Sequence, residues 1–269
     1  MSVPSSSTPT RSVWDAVELA RHERRPYAMD YITMMCDDFF ELHGDRDGGE
    51  DHAIVGGPAR LAGRPLMIVA HQKGRTLEER LYRNYGMAHP EGYRKAQRLM
   101  RQAERFGMPV VALVDTPGAY PGVDAEKSGQ AWAISQSLIV QAELQVPIVS
   151  VVIGEGGSGG ALAMALGDRV MMMENSIYSA ASPEACAAIT WRDATRKADA
   201  AAQMRLSSAD CLDLGVIDEI IPEPLPAHED PAGAAVRLSD ALQRALDELT
   251  HYSIDRLLGA RYWRFRRPI

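Results

Sequence analysis

Two hydrophobic periods alternate along this chain, and their order predicts its architecture. Residues 53–61 and 65–74 are β-rich runs separated by Ala62-Gly63-Arg64-Pro65, the pattern of a β-hairpin. From 93 to 106 the period becomes helical: Tyr93, Ala96, Leu99, Met100, Ala103 and Phe106 share one face, and Arg94, Lys95, Arg98, Arg101 and Arg105 lie largely on the other. That basic face reads as solvated, with a partner or phosphate role as the alternative. Buried-strand patterns follow at 110–115 and 148–153, joined by a helix over 126–143. Further strands are predicted over 169–182 and 214–225, and helices over 194–206 and 231–249. Before the hairpin, Ser12 and Asp15 form a capping-box pattern for a helix over 14–24, and a second helix is predicted from Asp30 to Gly44. Residues 76–92 show no clean period and read as a long loop. Strands alternating with helices indicate an α/β architecture with short parallel strands.

The chain is organised around residues 148–166. An apolar run ends at Ile153, and five glycines and one serine then fall within the seven positions 154–160. Strand, glycine turn and helix start together aim backbone N–H groups at negative charge. Three known patterns fit. Gly154, Gly156 and Gly159 match G-x-G-x-x-G, with Glu174 about 20 residues on, as a dinucleotide-binding site requires. Gly156, Ser158 and Gly160 match the G-x-S-x-G nucleophile elbow. The third reading uses only backbone donors, as an oxyanion hole. A plain packing turn is the simplest alternative. The only histidines after Ser158 are His228 and His251, neither in a catalytic setting, which weakens the elbow, and at least one βα unit precedes the run, which weakens the dinucleotide reading. A second glycine turn, 117–122, ends the strand that carries Asp115, and His71, Gln72, Lys73, Gly74 and Arg75 form a polar cluster at another strand end. Lys73 and Arg75 have the charge to meet phosphate or carboxylate, and a solvated loop is the other reading.

Composition narrows the classes. A net charge of −7 argues against general nucleic-acid affinity, and no apolar run approaches the roughly 20 residues of a membrane span. Residues 1–11 are polar and read as a disordered tail, 12–250 as one domain, and the basic, aromatic segment 251–269 as a tail that either anchors a neighbouring subunit or lies on the surface. Three cysteines, Cys36, Cys186 and Cys211, include no C-x-x-C pair, so a reduced, cytoplasmic setting without a metal site in this chain is the simplest reading.

Taken together, the ordered segments RPYAMDYI, ELHGDR, AIVGGPARLAGRPLMIVAHQKGR, YGMAHPEGYRKAQRLMRQAERFGMPVV, DTPGAYPGVDAE, VIGEGGSGGALAMALGD, SPEACAAI and GVIDEIIPEPL closely resemble the α subunits of bacterial acetyl-coenzyme A carboxylase carboxyltransferases. The likeness spans residues 25–225. It departs from the family in two respects: only a short polar tail precedes Trp14 where the family often has a longer helical extension, and Ala185 stands where glycine is common.

The resemblance implies a crotonase-like (ClpP/crotonase) fold of repeated ββα units with N- and C-terminal helices. It implies transfer of the carboxyl group from carboxybiotin, borne on a carrier protein, to acetyl-CoA, giving malonyl-CoA for fatty acid synthesis. Neither substrate is held covalently by this chain. On the family pattern the backbone amides of Gly159 and Gly160 stabilise the biotin ureido oxyanion. Gly156, Gly157, Ser158, Gly118, Ala119, Tyr120, Lys73 and Arg75 are expected to line the same cleft. Implied partners are a β subunit in an α2β2 heterotetramer, which carries the thioester oxyanion hole and a four-cysteine zinc ribbon, together with the biotin carboxyl carrier protein and biotin carboxylase. A crotonase-like acyl-CoA hydratase or isomerase, using Glu155 or Glu126 as acid/base, is the competing reading, beside the dinucleotide-binding one.

Overall fold

A computed structural model describes residues 12–266, so the segment read as a disordered tail over 1–11 lies outside the described residues. Ser12 caps α1 (Val13–Ala20) with the reciprocal Asp15 bond expected from its capping box. The second helix, α2 (Ala28–Met35), stops well short of Gly44. Instead the chain extends through β1 (Asp38–Phe39) along the edge of the sheet, where the Phe40 and Leu42 amides donate to Pro58 O and Gly56 O. Backbone pairing has overridden helical periodicity there, and it needs glycine: a β-carbon on Gly57 would stand 1.9 Å from Phe40 O.

The predicted hairpin is present as β2 (Ile54–Leu61) and β3 (Arg64–His71), antiparallel throughout. Between it and the next helix, the expected loop contains a short helix, α3 (Leu77–Tyr82), started by a Thr76–Glu79 capping box. The basic helix α4 (Pro90–Arg105) leads into β4 (Val110–Thr116). The single helix predicted next is two, α5 (Val123–Lys127) and α6 (Gln130–Glu143), because Gly129 breaks it at φ +86°. β5 (Ile148–Gly157) and the five-residue α7 (Ser158–Leu162) form the central element. The glycine run is therefore mostly strand, and the turn begins only at Ser158.

The apolar run after α7 is divided into β6 (Arg169–Met173) and β7 (Ile177–Ser179). α8 (Pro183–Trp191), α9 (Lys197–Met204) and α10 (Ser208–Asp213) follow, the last capped by Ser207 in a stretch not predicted as helix. β8 (Glu219–Ile221), α11 (Pro231–Leu249) and α12 (Ile254–Arg264) complete the described chain.

The strands form one sheet in the order β1-β2-β3-β4-β5-β6-β8, with β7 pairing the far end of β5. All pairings from β3 to β8 are parallel. Both faces are covered, as parallel sheets require. Leu66, Ile68, Val111, Leu113, Val149 and Val151 face α2 and α11 in one buried cluster. The alternate residues Met67, Val69, Val110, Ala112, Ile148 and Val152 pack with α4 and α6 in another. Arg261 of α12 spends all five of its N–H groups on Asp168 and the carbonyls of Gln141, Leu144 and Val146, at 2.7–3.1 Å. The C-terminal helix is thus docked by a buried guanidinium.

Candidate active site

The carboxyl ends of β4 and β5 carry the two glycine turns, in the position where parallel sheets bind ligands. The turns touch backbone to backbone. A β-carbon on Gly157 would stand 2.1 Å from Pro117 O, and one on Gly160 would stand 2.5 Å from Ala119 N. Gly118, at φ +153°, faces Ser158. Thr116 fixes this turn by donating its hydroxyl to Gly118 O at 2.7 Å and accepting from Gly118 N. Ser158 enters the helix in the left-handed region, at φ +50°, and is exposed.

Gly159 is different. Its absent β-carbon would meet only Ile134, at 3.5 Å, an ordinary contact. Packing does not demand glycine there. Gly157 caps α7 without a side chain, and the first N–H groups of a helix have no partner within it. Ser158 and Gly159 border a cavity of about 430 Å³, lined also by Leu162, Tyr178, Cys211 and Val216. The arrangement can present backbone donors to an anion in a partly apolar setting.

Behind these turns lies a buried charge network. Lys73 Nζ meets Asp115 Oδ1 at 2.7 Å. Burial alone would lower the Lys73 pKa, but Asp115 and then Glu155 reverse this and hold it above the ordinary lysine value. Asp115 Oδ1 also accepts the Glu155 amide at 2.9 Å, and it leaves no room for a side chain on Gly154. Arg21 binds both Glu155 oxygens and reaches Glu184 at 2.8 Å. Deeper still, Arg25 donates to Ile153 O at 2.8 Å and to both oxygens of Glu223, the shorter bond being 2.6 Å. N-terminal residues therefore clamp the strand that delivers the central turn.

The structure brings Gly118, Ala119, Gly157, Ser158, Gly159 and Gly160 together, with Lys73 behind Pro117 and beside a second cavity shared with Arg21, Arg80 and Tyr85. Gly156 is a strand residue packed on Tyr178. Of the expected residues, only Ser158 and Gly159 line the cavity of about 430 Å³ itself. Arg75 instead pairs with Asp30 and lies 4.7 Å from the Tyr27 ring centroid, and Tyr120 stacks on His89 at 4.0 Å. Arg21, Arg25 and Glu223 were missed as site supports. Their positions far apart in sequence gave no local signal, although Arg25 and Glu223 lie inside segments that carried the resemblance.

The competing chemistries lose their residues. Glu155, the hydratase acid/base candidate, is bound on both oxygens by Arg21, and Glu126 lies exposed on α5. Glu174, the ribose-binding candidate, accepts the Glu223 amide at 2.6 Å.

Residues 7–268 match the family model described as acetyl co-enzyme A carboxylase carboxyltransferase-like. The chain belongs to this family. It is 56% identical to the acetyl-coenzyme A carboxylase carboxyl transferase subunit alpha of Geobacter metallireducens, over 95% of this chain and 81% of that protein. The subunit of the same name from Thioalkalivibrio sulfidiphilus is 54% identical over 94% of this chain and 80% of its own. Among solved structures, transcarboxylase 12S superposes with a TM-score of 0.69 at 22% identity, covering 88% of this chain and 44% of that one. The Pseudomonas malonate decarboxylase hetero-tetramer gives 0.64 at 21% identity, covering 79% and 85%. These likenesses establish the crotonase-like α/β fold.

Proposed function

We propose that this chain supplies the biotin side of a composite carboxyltransferase site, with the Gly159 and Gly160 amides as oxyanion donors. The observation that carries the reading is the open space at Gly159, a glycine that packing does not require, at the start of a helix beside a cavity. In the reaction, the N1′–carboxyl bond of carboxybiotin breaks, the ureido oxygen takes up negative charge, and the decarboxylated ring accepts a proton from the acetyl-CoA methyl group. The resulting enolate carbon then bonds to CO2, giving malonyl-CoA. Donors fixed in advance stabilise the developing charge without reorganisation or a side-chain base. Gly118, Ala119 and Ser158 shape the cleft, and Lys73 with Asp115 holds its strands in register. Arg75 and Tyr120 act on the surrounding surface, where they meet the substrates only once partners have assembled.

The thioester oxyanion hole and a zinc ribbon belong to a β subunit, in an α2β2 heterotetramer working in the cytoplasm. The biotin carboxyl carrier protein brings the carboxyl group, biotin carboxylase loads it, and malonyl-CoA feeds fatty acid synthesis. The names of the relatives, each a carboxyl transferase subunit alpha, support this division of labour. The test is malonyl-CoA-dependent carboxylation of free biotin, the reverse reaction, by this chain alone and with a β subunit. Activity is expected only in the mixture, and Gly159→Val is expected to abolish it while the assembly persists. Activity from the chain alone, or full activity in the Val variant, overturns the reading.

A further inference from the structure

The basic face of α4 is more than a solvated stripe. Lys95 has left it: its ammonium is fully buried, bound to Glu50 and to Asp51 O at 2.8 Å. The remaining arginines form the wall of a groove of about 620 Å³, lined by Arg94, Arg98, Arg101 and Arg105 with Gln97, Gln102, Asp45 and Phe106. Its one lining carboxylate is already committed. Asp45 accepts from the amides of Asp47 and Gly49 at 2.8 and 2.9 Å and from Arg94 Nε at 2.8 Å, so Arg94 is neutralised.

The other guanidinium groups are not so paired. Arg98 donates to the carbonyls of His43 and Gly44 and bonds no carboxylate, although Glu50 and Asp45 lie near enough to favour its charge and Arg46 to oppose it. Arg101 and Arg105 form no ion pair among the described residues, although both also border a second hollow with Glu104 and Glu143. Glu104, between them, accepts the Gln145 amide at 2.7 Å. Three guanidinium groups without an ion pair thus border one groove beside the Gln102 side chain, the Gln97 amide being spent on Ala133 O and Ser137 Oγ, in a chain of net charge −7. At its end stands Phe106, with 68% of its surface exposed, an aromatic face next to the cations.

We propose that this groove is a binding site for a phosphorylated nucleotide, with the phosphates on Arg98, Arg101 and Arg105 and the base stacked on Phe106. Guanidinium forks match phosphate oxygens bidentately, and exposed aromatic rings stack on bases of any sequence. The site is distinct from the glycine turns. α4 begins beside Tyr120, whose amide bonds Ala88 O, and Arg98 to Arg105 lie about 12–22 Å along it from Pro90 at 1.5 Å per residue. Its occupant is an effector or an anchored ligand and not a reacting group.

The test is calorimetric titration of the full chain, assembled with its β subunit, with inorganic pyrophosphate, ADP and adenosine. Pyrophosphate and ADP are expected to bind saturably, ADP more tightly, and both less tightly as salt rises. The exposed double substitution R101E/R105E is expected to remove that binding component, weakening both ligands at least tenfold. Phe106→Ala should cost ADP its advantage and leave pyrophosphate unchanged. Carboxyl transfer without nucleotide should be unaltered in all variants. The proposal is overturned if no component of pyrophosphate or ADP binding is sensitive to R101E/R105E, or if adenosine binds as tightly as ADP.

Discussion

Gly160 lies so close to Ala119 that a β-carbon on it would stand 2.5 Å from the Ala119 nitrogen, whereas its neighbour Gly159 has only Ile134 in reach, at 3.5 Å. The two adjacent glycines, expected to share one role, are therefore constrained by different things. Gly160→Ala must push two strand ends apart, at an overpacking cost of about 1–3 kcal/mol. Gly159→Ala meets no backbone and replaces glycine within a helix by a better helix former. Thermal unfolding should show a lowered Tm for Gly160→Ala and an unchanged or slightly raised one for Gly159→Ala. Equal losses would mean that both positions are packing glycines.

A second prediction concerns Arg25 and Glu223, whose side chains are 1% and 0% exposed. Glu223 also receives the Asn175 and Ala227 amides, so its charge is held by several donors, and beside Arg25 it stays ionised below the usual glutamate range despite burial. Removing its charge leaves a guanidinium buried without its counter-ion, which costs about 3–5 kcal/mol. Urea denaturation of Glu223→Gln is expected to show a loss of that order, and the double variant Arg25→Met/Glu223→Gln, which keeps an acceptor for those amides, to regain part of it. A loss below about 1 kcal/mol in the single variant would show that the pair is not structural.

His71 supplies the pH dependence. It is completely buried at the end of β3, neither ring nitrogen has a hydrogen-bond partner, and burial with the nearby Lys73 lowers its pKa from 6.5 to about 3. Between those values the unfolded chain binds a proton that the folded chain refuses. Stability therefore falls as pH drops below about 6.5, with a limiting slope of about 1.4 kcal/mol per pH unit. Denaturant midpoints measured from pH 7 to pH 4 should fall less steeply in His71→Leu, which should be at least as stable as the parent at pH 7. An identical slope in both proteins would remove His71 as the cause.

What could be read from the sequence was what repeats locally. The hairpin at Ala62-Gly63, the capping box at Ser12 and the helix Pro231–Leu249 follow from neighbouring residues alone, and all three are present. The candidate site was proposed from its glycine run, but which of those glycines packing constrains was not legible there, because it depends on what stands opposite each residue. Gly157 faces Pro117 and Gly154 faces Asp115, contacts that no spacing encodes. Charge patterning misled for the same reason. Lys95 occupies a basic helical stripe yet is buried, since Glu50 and Asp51 come to it from another segment. The 39–44 stretch failed as a helix because a sheet edge offered its amides partners that a sequence window does not contain.

Arg261 gives the chain a built-in order of completion. The carbonyls of Gln141, Leu144 and Val146, at the joint between α6 and β5, receive their buried donors from a residue 115–120 positions later. During synthesis the glycine turn of β5 emerges early, but the joint beneath it stays without those partners until α12 has left the ribosome. A chain truncated before that helix lacks the donors that close the base of the strand carrying the glycine turn. The β5 joint is thereby completed by a side chain 115–120 positions downstream of it.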